Sequence, residues 1–115
     1  MSSHSDTVER YIEGFRRSDH AQILSCPTDD IVWEIRGHTT IEGKHAFDDE
    51  IENDAFESPS LRIDRMIETS DTVVALGGGS LAKKTGETFA FGFCEVFTFR
   101  GDAVCHLDTY HINLA

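Results

Sequence analysis

The segment Thr88–Arg100 reads T-F-A-F-G-F-C-E-V-F-T-F-R. Phe89, Phe91, Phe93, Phe97 and Phe99 all fall on one side of a period-two strand, and Glu95 is the only other member of that row. The opposite side carries Ala90, Gly92, Cys94, Val96 and Thr98, all small or slim. A carboxylate in a row of aromatic rings must be paired, protonated or at the mouth of a cavity, because burying a bare charge is costly. Desolvation raises a carboxyl pKa, which is how a protein makes a general acid or base that works near neutral pH. The structural alternative is a glutamate at a strand end or dimer seam, bonded to a Tyr, His or Arg.

Around this strand the chain orders itself as helices first and strands after. Asp6 with Glu9 three residues on forms a capping-box-like start, with Ser5 as the rival N-cap. Behind it Val8, Tyr11, Ile12 and Phe15 recur at helical spacing. Asp19 to Ser25 predicts a short second helix, stopped before Pro27. Ile31, Trp33 and Ile35 alternate as a strand, Gly37–Gly43 reads as a turn-rich connection, and Lys44 to about Phe56 predicts a third helix burying Phe47 and Ile51. Pro59 ends that region. Then Leu61–Thr69, Val73–Lys83, Thr88–Arg100 and Val104–Leu114 read as four strands, joined at Ser70-Asp71, Thr85-Gly86 and Gly101-Asp102. This order predicts an α+β fold, a long curved sheet with helices on one face and a conical space at its open end.

The last strand holds the candidate partners of Glu95. A two-residue hairpin at Gly101-Asp102 sets Arg100 against Ala103 and puts Asp108 directly across from Glu95. Two such carboxylates repel, so one keeps a proton. One β-bulge instead turns Leu107, Thr109 and His111 to that side. Asp108 and His111 are therefore both candidate bases, His111 having the surface histidine as its plain alternative. Tyr11, a phenol on an apolar helix face, needs a partner for its hydroxyl, and Glu95 is a candidate. Trp33 has plain core packing as its alternative. Gly77-Gly78-Gly79-Ser80 lies within a strand and lacks the Gly-Lys-Ser/Thr of a phosphate loop. Small residues there, Gly78 and Ser80 among them, leave room for a ligand beside the aromatic row; the other reading is a bend demanded by sheet curvature.

The chain has 115 residues, read as one domain spanning 1–115. With 39% apolar and 27% charged residues it has ordinary globular usage, so wholesale disorder is not expected. Ten Lys+Arg against 21 Asp+Glu give a formal charge of −11, a field that repels nucleic-acid phosphates and anionic lipid surfaces. No apolar run reaches a membrane span, and Met1–Asp6 lacks a signal peptide's character. Cys26, Cys94 and Cys105 show no paired spacing, which argues against a secreted disulfide framework. A cytoplasmic domain is expected. His106-Leu107-Asp108 matches the His-x-Asp half of a facial metal triad, but a third ligand normally comes from a distant strand, and no metal is expected. No Gly-x-Ser-x-Gly elbow is present.

In order and spacing, Val8-Glu9-Arg10-Tyr11-Ile12, Asp29 to Glu34, Ile41-Glu42-Gly43-Lys44 and the closing Glu95–Phe99 and Asp108-Thr109-Tyr110 carry a resemblance over nearly the whole chain. The pattern resembles the nuclear transport factor 2-like superfamily, in its ketosteroid isomerase-like and SnoaL-like polyketide cyclase branch. The resemblance implies a cone-shaped α+β barrel with three N-terminal helices packed in a curved, mixed or antiparallel sheet, a homodimer through the outer sheet face, and a pocket for a small, apolar molecule, used without a cofactor. Its enzymes isomerise, cyclise, dehydrate or hydrate such molecules, while many members are not catalysts. Tyr11 stands where the isomerases place their oxyanion-hole phenol, and Glu95 where they place the protonated acid. On this resemblance Ile35 stands where those enzymes have a proton-shuttling Asp, which argues against a steroid isomerase. Asp108, with His111 second, matches the Asp that SnoaL-type cyclases use in the last strand. On this reading Tyr11, Glu95, Asp108 and His111 are catalytic, and Phe15, Trp33, Ile35, Phe47, Ile51, Gly78, Ser80 and Phe97 line the site. The alternative is a non-catalytic ligand-binding or dimerisation module, which the absence of an Asp at Ile35 favours.

Overall fold

The first helix forms because Val8, Tyr11 and Ile12 share one stripe that can be removed from water together. The computed structural model describes residues 4–52, 60–82 and 85–114. In chain order the elements are α1 (His4–Arg16), α2 (His20–Leu24), β1 (Pro27–Ile35), β2 (Thr39–Glu42), α3 (Lys44–Glu52), β3 (Ser60–Glu68), β4 (Thr72–Ala82), β5 (Thr88–Arg100) and β6 (Ala103–Leu114). Ser5 and Asp6, the expected caps, lie inside the first turn of α1, and Ser5 is bonded through backbone and hydroxyl to Glu68 of β3. The expected short second helix forms as α2, with Asp19 as its N-cap, the carboxylate accepting from the Gln22 N–H at 3.1 Å. Gly14 lets α2 sit close on α1, since a Cβ there would lie 2.7 Å from the Ile23 side chain. The expected end of the third helix near Phe56, Pro59, and the strand residue Lys83 lie outside the described residues.

Six strands make one sheet in the order β2-β1-β6-β5-β4-β3. The stretch from β3 to β6 is the antiparallel meander that the turn dipeptides imply, and Ser70-Asp71 and Gly101-Asp102 do close their hairpins. One feature departs from the sequence reading. The Gly37–Gly43 connection contains β2, a short strand whose β-branched Thr39, Thr40 and Ile41 pair antiparallel with β1 between two glycines of positive φ. β1 pairs parallel with β6, so of the two expected forms, mixed or antiparallel, the sheet takes the mixed one. α1 packs on β3 and β4, α3 on β1 and β2, and α2 joins them.

Between helices and sheet lies a core of Val8, Tyr11, Ile12, Ile23, Ile31, Phe47, Val73, Ala75, Phe97 and Leu107, with Phe15, Trp33 and Ile51 packed against it. Phe97 is fully buried, and a ring of that kind contributes about 2–3 kcal/mol relative to exposure. Along β4, Val73, Ala75, Gly77 and Gly79 share the inner face, being paired with Phe97, Glu95, Phe93 and Phe91. Gly78 and Ser80, expected at the pocket, instead share the outer face with Gly92 and Ala90. A Cβ on Gly77 or Gly79 would run into the Arg62 or Ser60 carbonyl oxygen of β3. The glycines thus serve the close approach of β3 to β4, the curvature reading.

Candidate functional site

Glu95 lies on the inner face of β5 between Phe93 and Phe97, with Ala75 of β4 on one side and Thr109 of β6 on the other. Ala75 has nothing to offer a carboxylate. Thr109 does: its hydroxyl donates to Glu95 Oε2 at 2.9 Å, and the indole N–H of Trp33 donates to the same hydroxyl oxygen at 2.8 Å. Trp33 is pinned in turn by the Phe47 ring, 4.8 Å between centroids. Burial dominates the electrostatics. It pushes the Glu95 carboxyl up from its usual 4.5 to about 7, the Thr109 bond pulling partly the other way.

A β-bulge decides which residue meets Glu95. Arg100 pairs with Ala103 and Phe99 with Val104, but Thr98 pairs with His106, so Cys105 is left without an opposite residue. Beyond it Leu107, Thr109 and His111 face inward, opposite Phe97, Glu95 and Phe93. Asp108 is opposite Val96 and belongs to the outer face, which corrects its expected place beside Glu95. There Asp108 accepts from Arg36 at 2.5 Å, His106 Nε2 lies 2.8 Å from Glu34 Oε2, and Arg36 also reaches Glu34 at 3.5 Å. Glu34 is thus the distant-strand neighbour that His106-x-Asp108 lacked, and the three donor atoms lie within 4.8 Å of one another, as a metal ion requires. The Arg36 guanidinium, already bonded to Asp108, supplies the positive charge of this cluster.

Of the other expected site residues, His111 lies on the inner face, exposed, stacked on Phe91 at 4.6 Å. Partial burial moves its pKa below the usual imidazole value, so it is largely neutral at pH 7. Tyr11 is buried, with its ring edge-on to Phe15 and Phe97 at 5.0 and 5.4 Å. Burial first, and the Glu95 charge second, raise the phenol well above 10, so it is a neutral donor. The expected bond from Tyr11 to Glu95 is not made, and the hydroxyl has no hydrogen-bond partner among the described residues. Ile35 is half-buried at the end of β1 on the Trp33 face. Phe47 and Phe97 are fully buried core, and Phe15 and Ile51 are partly buried against them. The crevice among Tyr11, Ile31, Phe47, Phe97, Val104 and Leu107 measures about 170 Å³ and contains no water-sized space.

A model of the SnoaL-like domain matches residues 8–107. The chain belongs to the SnoaL-like family. Solved structures agree with this SnoaL-like assignment. An NTF2-like protein of unknown function from Burkholderia pseudomallei superposes with a TM-score of 0.84 at 20% identity, over 96% of this chain and 91% of that one. A ketosteroid isomerase-like protein from Catenulispora acidiphila, in complex with trimethylamine, gives 0.81 at 13% identity over 90% and 83%. An LEH-like epoxide hydrolase of M. tuberculosis gives 0.82 at 18% identity over 92% and 80%. At such identities the likeness is one of fold. None of the curated proteins matches the chain. No helix among the described residues is long and apolar enough to cross a membrane.

Thr109 is the site residue that sequence reasoning missed as a functional group. The only signal for it was its place in the bulged register, and nothing in the letters Ala103-Val104-Cys105-His106 announces that bulge.

Proposed function

We propose that this SnoaL-like domain is a cofactor-independent isomerase, cyclase or dehydratase that moves a proton on a small apolar carbonyl compound. The observation that carries the reading is Glu95, a part-buried carboxyl among aromatic rings whose pKa is about 7. Such a group is half protonated at neutral pH and can take a proton from carbon and return it elsewhere, work typically worth about 10²–10⁴ in rate. Tyr11, neutral and with its hydroxyl unpartnered among the described residues, is the donor for a developing enolate oxygen. His111, neutral at the inner rim, is the second proton carrier; Asp108, on the other face, has no part in the step. Trp33, Phe15 and Phe93 enclose the hydrocarbon.

The test is solvent-hydrogen exchange into a simple cyclic enone or β-keto ester in deuterated water. Wild type should catalyse exchange, and Glu95→Gln should lower the rate by about 10²-fold or more. Equal rates in the two proteins refute the reading. A second reading, a non-catalytic binding or dimerisation module, is favoured by the filling of the crevice next to Tyr11. Ligand binding without exchange supports it. Self-association has its own support in Tyr110, Ile112 and Leu114, which are 44%, 64% and 55% exposed on the outer face of β6. Sedimentation analysis tests that separately.

A further inference from the structure

An indole N–H can only donate, whereas a threonine hydroxyl has one hydrogen to give and two lone pairs to fill. Trp33 Nε1 takes one of those lone pairs on Thr109 Oγ1. When Glu95 is ionised, the Thr109 hydrogen points at Oε2, because a carboxylate only accepts. When Glu95 is protonated, two arrangements compete. If the carboxyl hydrogen sat on Oε2 and pointed at Thr109, the threonine hydrogen would need another acceptor, and none is bonded to it among the described residues. If the carboxyl hydrogen sits on Oε1, every existing bond is kept. We propose that Thr109, locked by Trp33, is a positioning residue that holds Glu95 Oε2 as a permanent acceptor and makes Oε1 the oxygen that exchanges protons. The inference rests on the reading of Glu95 as the acid–base group.

The surroundings make the lock stiff. Thr109 is β-branched, with a restricted χ1, and sits directly across the strand pair from Glu95. Trp33, on the neighbouring parallel strand β1, is held by Phe47 of α3, so three strands of one sheet fix the carboxyl's orientation. The other titratable groups near Glu95 are Tyr11 from α1, whose phenol feels its charge, and His111 from β6 on the same face; neither bonds to it, and β4 offers only Ala75. A base with one free oxygen in a fixed direction saves the orientational cost of finding the reacting C–H.

The experiment is a pH titration of the intact protein, with carbon-13 in the glutamate side chains, run beside the deuterium-exchange assay. Thr109→Val keeps the shape and removes the hydroxyl. Its Glu95 midpoint should climb by roughly one pH unit above wild type, since a bond to the charged form is lost. Its kcat should fall about tenfold with KM little changed. Thr109→Ser should restore both. Trp33→Phe, which leaves Thr109 free to turn, should raise the midpoint by less than Thr109→Val does. A Thr109→Val midpoint equal to wild type, or a serine variant no better than the valine one, overturns the positioning role while leaving Glu95 as the acid–base group. A wild-type midpoint near 4.5 brings down the proposed function itself.

Discussion

Replacing Glu95 by glutamine should make the protein more stable at alkaline pH and leave it no more stable at acid pH. The folded state holds the Glu95 carboxyl at about 7 against its usual 4.5. Between those two values the folded chain binds more protons than the unfolded chain, so stability falls as pH rises. Below about 4.5 both states are protonated and the full stability is present; above about 7 that contribution has been lost. At about 1.4 kcal/mol per pH unit the penalty on the charged form is on the order of 3 kcal/mol, somewhat less where water reaches this part-buried group. Glutamine keeps an oxygen to accept from Thr109 and is never charged, so it escapes the penalty. Urea unfolding of both proteins at pH 4, 6 and 8 measures the difference, in which every other titrating group cancels. The expected gap is close to zero at pH 4 and about 2–3 kcal/mol in favour of glutamine at pH 8, on the order of 10 °C in Tm. A gap that stays constant across that range refutes the assignment of a raised pKa to this carboxyl.

Other outcomes follow from the same geometry. Gly77→Ala should cost about 1–3 kcal/mol or more, because its methyl meets the Arg62 carbonyl of β3, whereas Gly92→Ala, nearest to an oxygen 3.8 Å away, should be tolerated; urea midpoints separate the two. Asp108→Asn, on the outer face with Arg36, should leave both the Glu95 midpoint and the exchange rate unchanged, and a fall in exchange would mean that the outer face takes part in the chemistry.

Much of this architecture was legible in the letters, and the parts that were not have identifiable causes. The Phe/Glu alternation of β5 survives in the structure because a period of two is a property of the strand itself. Burial of Tyr11 and Phe47 followed from helical spacing. The strand β2 was hidden because only Ile41 of its four residues is buried, leaving no alternation to read. The parallel pairing of β1 with β6 joins segments over 70 residues apart, and no local pattern encodes such a contact. Gly78 and Ser80 were expected on the ligand side because the parity of β4 cannot be fixed until its register with β5 is known. Thr109 in place of Asp108 is the same problem one strand further on. The Tyr11 hydroxyl shows a further limit: a need for a partner is readable from its residue type and apolar setting, whereas its lack of one among the described residues is a fact of packing.

The bulge at Cys105 gives this protein a mechanical clutch. One residue without a mate decides which of two neighbouring side chains, a hydroxyl or an acid, is dealt to the interior. Drawing that residue into the ladder opposite Thr98 would turn the rest of β6 over, bring Asp108 alongside Glu95, and swing the Tyr110, Ile112 and Leu114 row inward, whereas excising it would leave Thr109 where it is. The bulge alone therefore separates a site built on one carboxyl from one built on two, with no substitution anywhere in the chain.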